Sequence, residues 1–161
     1  MPESPATLVE RVLETLLLEE KELAALVVLA VEEQTALVAS DFPEMTRLGE
    51  LMLVRAEAMT VLEQRRESLL RDLGVADATL DTLLPLADDL GITGFAEARL
   101  RLVAKAAELR DNQERNARLL LSAMKLHEKW VNMFAAIASS TYGADGQQAM
   151  RAGRQFVSKS A

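Results

Sequence analysis

His127 is the only histidine, and the chain has no cysteine. Together these facts remove most site chemistry. A thiolate nucleophile, a thiolate metal site and a disulfide framework all need cysteine. A di-iron or di-manganese bundle needs Glu-x-x-His pairs on two helices. Met124 stands three residues before His127, so no such pair exists. A phosphotransfer bundle using His127 is the rival reading. It needs an exposed imidazole beside small neighbours, whereas Lys125, Glu128, Lys129 and Trp130 crowd this one and no Lys-Gly follows it. A packed or edge histidine is the favoured assignment. Glu19, Glu20 and Glu22, like Glu32 and Glu33, read as solvated helix faces. No phosphate-binding loop or nucleophile elbow is present. The chain is therefore expected to be no enzyme, with no cofactor and no metal.

The helix that would carry His127 is expected over residues 94–140, about 46 residues and about 70 Å at roughly 1.5 Å per residue. Its apolar edge steps alternately by four and three: Leu102, Ala106, Leu109, Gln113, Asn116, Leu120, Ala123, His127, Trp130, Phe134, Ile137. That spacing is a coiled-coil seam. Gln113 and Asn116 fall on it as a buried amide pair, which weakens a seam but fixes its register. A partner-facing polar window is the alternative. Trp130, Met133, Phe134 and Ile137 gather much of the chain's bulk near the end of this helix. An exposed apolar end there would mark a partner site.

The other elements must position that helix. A first helix is expected over residues 6–39, opened by Thr7 with Glu10 in the capping-box position. Ser40, Asp41, Phe42 and Pro43 break it, and Asp41 caps the next helix. So short a connection makes the two helices antiparallel neighbours. The second helix runs over residues 43–73 and stops at Gly74. Met45, Met52 and Met59 form a row along it, read as core filling rather than as a soft binding surface. Arg55, Arg65 and Arg66 fall on or near its seam. Residues 74–93 form a bent connector, with one short turn capped by Asp77 from about Thr79 and a second after Pro85. Its leucines (Leu80, Leu83, Leu84, Leu86, Leu90) are expected to close the bundle end, and Thr93 to cap the long helix. Gly143 and Gly146 should end that helix, leaving residues 141–161 as an adaptable tail beyond a helical bundle of residues 1–140.

Composition agrees with an all-α chain. Half of the residues are hydrophobic, 27% are charged and only 4% are aromatic, the mix of long-helix proteins. The net charge of −7 divides unevenly, about −12 before Gly94 and about +5 from Gly94 onward. Acidic early helices are expected to lie against the basic late one. The late basic residues are interspersed with acids and lack an aromatic platform, so nucleic acid is not an expected partner. No apolar run reaches the ~18 residues of a membrane span, and no signal peptide is expected. Absence of cysteine fits a reducing cytosol.

Three stretches carry a family resemblance. They are Gln64-Arg65-Arg66-Glu67-Ser68-Leu69-Leu70, then Leu109-x-x-Asn112-x-x-x-Asn116-x-x-Leu119-Leu120, then Thr141-Tyr142-Gly143-Ala144-Asp145-Gly146-Gln147. With these the chain resembles the FlgN family of flagellar export chaperones. Ala117 departs from the family's glycine at that position. The resemblance implies a cytoplasmic, all-helical chaperone. It would bind the C-terminal helical region of the hook–filament junction proteins FlgK and FlgL, keep them unassembled, and deliver them to the export gate protein FlhA. By position, Tyr142, with Gly143 and Gly146 around it, is implied as the gate contact. Met150, Phe156 and Val157 are implied as client contacts, joined by Trp130 and Phe134 from the apolar end.

The residues agree in kind. Tyr142 is an amphipathic aromatic where the glycines loosen the backbone, suited to anchor an interface; packing back onto Trp130 or Phe134 is the alternative. The expected fold is all-α, an elongated antiparallel three-helix coiled coil with a short bent connector and a flexible tail. The expected function is escort by masking, with a homodimer as a further partner state of the free protein. A structural coiled-coil oligomer is the remaining rival.

Overall fold

The computed structural model describes the backbone of residues 3–75 and 80–157, and the side chains among these up to residue 139. The described residues are almost entirely helical. The described residues hold four helices and no strand: α1 (Pro5–Ala39), α2 (Phe42–Asp72), α3 (Leu80–Asp89) and α4 (Phe95–Val157). Two compact units divide the chain at Leu119 and Leu120.

The helix ends follow from local chemistry. α1 is capped by Ser4, whose Oγ accepts the Thr7 N–H at 3.2 Å, not by Thr7. Pro5 explains the earlier start: its fixed φ suits the first turn, and it has no N–H to leave unpaired. Asp41 caps α2 as its position predicts, accepting the Glu44 N–H at 3.1 Å. The first three helices end alike. Asp41, Val75 and Ile92 donate back to Ala36, Leu70 and Ala87, while Ser40, Gly74 and Gly91 donate to Leu37, Arg71 and Asp88. This paired closure needs a left-handed residue. Glycine supplies it in two cases, with φ of 74° at Gly74 and 73° at Gly91, and Ser40 takes it at 55°.

Three expectations change at this level. α3 is one helix with Pro85 inside it, not two turns. The proline removes a single ladder bond, and it lies on the exposed side of a helix that Leu83 and Ala87 anchor in the core. α4 opens with the Ala98 N–H bonded to the Gly94 carbonyl at 3.0 Å, so Gly94 rather than Thr93 stands at its threshold. α4 also continues past Ser140 to Val157. Each interior glycine costs about 1 kcal/mol relative to alanine, but only proline blocks the ladder, and no proline follows Pro85. The expected cap at Asp77 and the turn start at Thr79 lie outside the described residues.

Within Met1–Leu119 the ion pairs fix direction. Glu14 meets Arg65 at 2.9 Å, Glu19 meets Arg66 at 3.0 Å and Glu22 meets Arg55 at 3.2 Å. Ascending positions on α1 pair with broadly descending ones on α2, so the two are antiparallel. α4 lies beside α1 in the same direction: Arg101 reaches Glu20 at 3.0 Å, and Asn116 reaches the Ala30 carbonyl at 2.7 Å. The acids of α1 thus serve α2 first. α4 engages Glu20 and Glu33 of α1, and its Arg99 pairs with Asp81 of α3.

The core is concentrated where α3 closes the bundle. Leu8, Val9, Val12, Leu16 and Leu23 of α1 meet Leu69 and Leu70 of α2, Leu83 and Ala87 of α3, and Phe95 and Leu102 of α4. Leu80, Leu84 and Leu86 pack against this cluster, as the connector's pattern predicts, while Leu90 is exposed. Met59 also packs there. Glu19, expected on a solvated face, instead sits inside with no exposed side-chain surface, its carboxylate held by Arg66 Nε at 3.0 and 3.3 Å. Burial pushes the Glu19 carboxyl above its ordinary range, and the bond to Arg66 pulls it only partly back.

The folded state therefore holds the Glu19 proton more tightly than the unfolded chain does. That contribution is fully present below the ordinary carboxylate pKa and is lost as pH rises through the raised folded value. Hence the stability of the native chain relative to Glu19→Gln should increase as pH falls from neutrality, read from urea midpoints across pH. At neutral pH, Arg66→Met should cost about 3 kcal/mol, because it strands a buried charge, and adding Glu19→Leu should restore most of it. Gly49 is an exposed residue inside α2 with open space around its Cβ position. Gly49→Ala should raise stability by about 1 kcal/mol, whereas Gly74→Ala, at positive φ, should lower it by about 1 kcal/mol in the same assay.

Candidate functional site

α4 buries Phe95, Ala98, Leu102, Asn112 and Asn116 in its first unit, with Lys105, Leu109 and Leu119 half-buried between and beyond them. The steps alternate three and four, as a seam requires. The column Leu102, Leu109, Asn116 matches the sequence expectation. Its companion column does not. Ala106, Gln113 and Leu120 are exposed, and Lys105, Asn112 and Leu119 take the inward side. Gln113 is therefore no member of a buried amide pair; Asn112 is. The amide motif pointed to the right stretch, but the companion column lies one residue earlier.

Asn116 spans the α1–α4 contact. Its Nδ2 donates to the Ala30 carbonyl at 2.7 Å and to Glu33 Oε2 at 2.8 Å. Its Oδ1 is buried without a partner. Asn112 donates to the Glu108 carbonyl one turn back at 2.9 Å. The α1 residues nearby are small, with Ala30 and Ala36 buried. A short amide can thus reach a helix carbonyl of α1, and only one sliding position of α4 allows it. The orphaned Oδ1 costs about 1–3 kcal/mol of desolvation, which the seam tolerates in exchange for a fixed register.

The unit Leu120–Ala161 carries a different surface. Leu120, Met124, Leu126, Trp130, Val131, Met133, Phe134 and Ile137 are all exposed. At 100° per residue they cover about half of the helix circumference. Lys125, Glu128, Lys129 and Asn132 take the other half, and exposed Leu121 stands among them. Trp130 and Phe134, 49% and 60% exposed, stack with ring centroids 5.9 Å apart and planes at 26°. Neighbours four apart on a helix meet in this way, so the two rings form one preformed apolar platform. His127 is exposed on the apolar side, between Ala123, Met124, Trp130 and Val131.

Of the sequence-derived candidates, Trp130 and Phe134 come together and are exposed. Tyr142, Gly143 and Gly146 lie on the helical backbone of α4, as do Met150, Phe156 and Val157; their side chains lie outside the described ones. Reading the sequence for a two-column seam missed Met124, Leu126 and Val131. The uninterrupted run Leu119-Leu120-Leu121 was the available signal, because such a run spreads apolar surface beyond two columns.

Among the described residues, no group of three or more acidic, histidine or cysteine side chains could hold a metal ion. None of the described helices is long and apolar enough to cross a membrane. Among the described residues, a shallow depression of about 370 Å³ lies open at the α1–α2 turn beside Glu32, Ala36, Asp41, Glu44 and Arg47. The arrangement at Leu120–Ile137 can bind apolar surface.

Asn116→Leu should fill the seam and raise the urea midpoint by an amount worth about 1 kcal/mol, while removing the register constraint. The distance distribution between spin labels at Val31 and Glu114, both exposed, should broaden in that variant.

No curated protein and no solved structure matches the chain. The family model described as FlgN protein matches residues 1–149. That span contains the buried amides, the exposed apolar half of α4, Tyr142, Gly143 and Gly146; Met150, Phe156 and Val157 follow it. With a match over most of its length, the chain belongs to the FlgN family, the flagellar export chaperones.

Proposed function

We propose that this chain escorts hook–filament junction proteins of the FlgK and FlgL type, holding their C-terminal helical region and handing them to the export gate protein FlhA from the cytoplasm. The observation that carries this reading is the exposed apolar half of α4 between Leu120 and Ile137. Side chains of this kind contribute about 1.5–3 kcal/mol each when fully buried. An apolar face half a circumference wide is broader than one coiled-coil neighbour covers, so it suits a client that brings more than one helical surface. Family membership supports the chaperone role.

Masking needs no catalysis. A client surface covered by the chaperone cannot join the growing filament, and mass action sets how much client stays single. Trp130 and Phe134 are the anchors, because stacked aromatics supply large, stiff contact area at low entropic cost. Met150, Phe156 and Val157 extend the client contact in this proposal. Tyr142, beside Gly143 and Gly146, serves the gate. The fold that supports this reading is a coiled coil of α1, α2 and the first part of α4.

Isothermal titration with the C-terminal helical region of a junction protein tests the assignment. Trp130→Ala with Phe134→Ala should weaken client binding at least roughly tenfold; unchanged affinity would remove the apolar half of α4 from the site. Tyr142→Ala should leave client affinity intact and weaken binding to the gate protein, measured separately; equal gate affinity in both proteins would unseat that residue.

A further inference from the structure

A second apolar surface lies on the α1–α2 hairpin, away from the α4 contact. On α1 the Glu20 column turns to α4, Glu19 and Glu22 turn to α2, and Leu18 and Ala25 follow further round in heptad order. On α2, Leu51 shares its heptad column with Arg65, and Val54 and Val61 lie beside it. The Glu14–Arg65 pair at 2.9 Å ties these columns to the outer side of α1. The antiparallel register then sets Leu18 opposite Val61, Ala25 opposite Val54 and Leu29 opposite Leu51. Leu18, Leu51, Val54 and Val61 are exposed, and Ala25 and Leu29 are half-buried. The result is an apolar groove about 17 Å long, at 1.5 Å per residue of α1.

Its rim is acidic. Glu32, Glu50 and Glu57 border it against Lys21, while Arg65, Arg47 and Arg55 are paired to Glu14, Glu44 and Glu22, the last pair crossing the groove at its middle. Another hairpin would bring acid against acid. A helix with an apolar face and basic flank fits instead, and the same chain holds one. Leu120–Ile137 carries the apolar half described above, with Lys125 and Lys129 against a single acid, Glu128. At about 26 Å by the same rise it is long enough to fill the groove.

We infer that the hairpin groove of one copy receives the Leu120–Ile137 segment of a second copy. Each copy offers both surfaces, so the contact covers an apolar face on each partner. The groove assignment stands on apolar register, length and charge. One consequence rests on the escort reading above: the face that covers the neighbour's groove is the face offered to the client, so self-association and client binding exclude each other. The free chaperone keeps its apolar face covered, and a client opens the pair.

Sedimentation equilibrium of the full chain tests this. The native protein should pair, and pairing should weaken as salt rises, because exposed charges are screened within about 10 Å at 0.1 M. Val54→Glu with Val61→Glu should give monomers with unchanged helicity. A native protein that stays monomeric throughout, a pair that ignores salt, or a pair that survives in this variant overturns the inference. In client titrations, apparent affinity should fall with rising chaperone concentration for the native chain and stay constant for the groove variant. A concentration-dependent fall of equal size in both overturns the competition. The two readings fail separately. If Trp130→Ala with Phe134→Ala is monomeric yet binds client fully, the groove stands and the client assignment falls.

Discussion

The Glu19–Arg66 pair is the constraint around which the first unit is arranged. A carboxylate with no exposed surface is tolerated only because a guanidinium on the facing helix meets it through both oxygens. Desolvation still outweighs that contact in setting the Glu19 proton affinity. Such a pair is poor evidence of stability, since apolar residues of similar size would serve as well or better. What it provides is discrimination. Sliding α2 along α1 by one turn would leave a buried charge without a partner, and the flanking Glu14–Arg65 and Glu22–Arg55 pairs would fail with it.

α1 is thereby the shared helix. Its buried column presents Leu16 and Leu23 to the core, and its flanks hold α2 through one set of acids and α4 through Glu20 and Glu33. The apolar cluster is strongest near α3 and thins toward the α1–α2 turn, where alanines replace leucines. Asn116 works at that thin end. Small α1 side chains let a short amide reach the Ala30 carbonyl, so a polar contact fixes alignment where apolar contact alone would allow sliding. Polar devices at both ends set register, while leucines supply most of the cohesion. The second unit exposes apolar side chains from Leu120 to Ile137.

Much of this was legible in the residues. Asp41 as a cap, Gly74 as a stop, the antiparallel hairpin and the connector leucines follow from turn chemistry and short-range spacing. Trp130 and Phe134 stood out through size and position. The errors have physical causes. Thr7 and Thr93 are reasonable caps by type, but Pro5 and Gly94 draw the helix starts elsewhere. Gly143 and Gly146 looked like a terminus because glycine is a weak helix former, yet a modest penalty does not interrupt a ladder already running. Pro85 was read as a break, although one lost bond on the exposed side of a helix anchored by Leu83 and Ala87 leaves it intact.

The linear order of residues by itself determined that the chain is helical, that Asp41 and Gly74 bound its second helix, and that its acids gather early and its bases late. Those properties depend on neighbours within a few positions. Only the tertiary structure decided which column accompanies Leu102, Leu109 and Asn116. Spacing permits a companion three residues later or four, and Ala106-Gln113-Leu120 is by composition the more apolar of the two columns, yet Lys105-Asn112-Leu119 faces inward. The choice is made by α1, whose Ala30 carbonyl and Glu33 carboxylate accept from Asn116 in one alignment. A contact between residues 86 positions apart leaves no trace in local pattern.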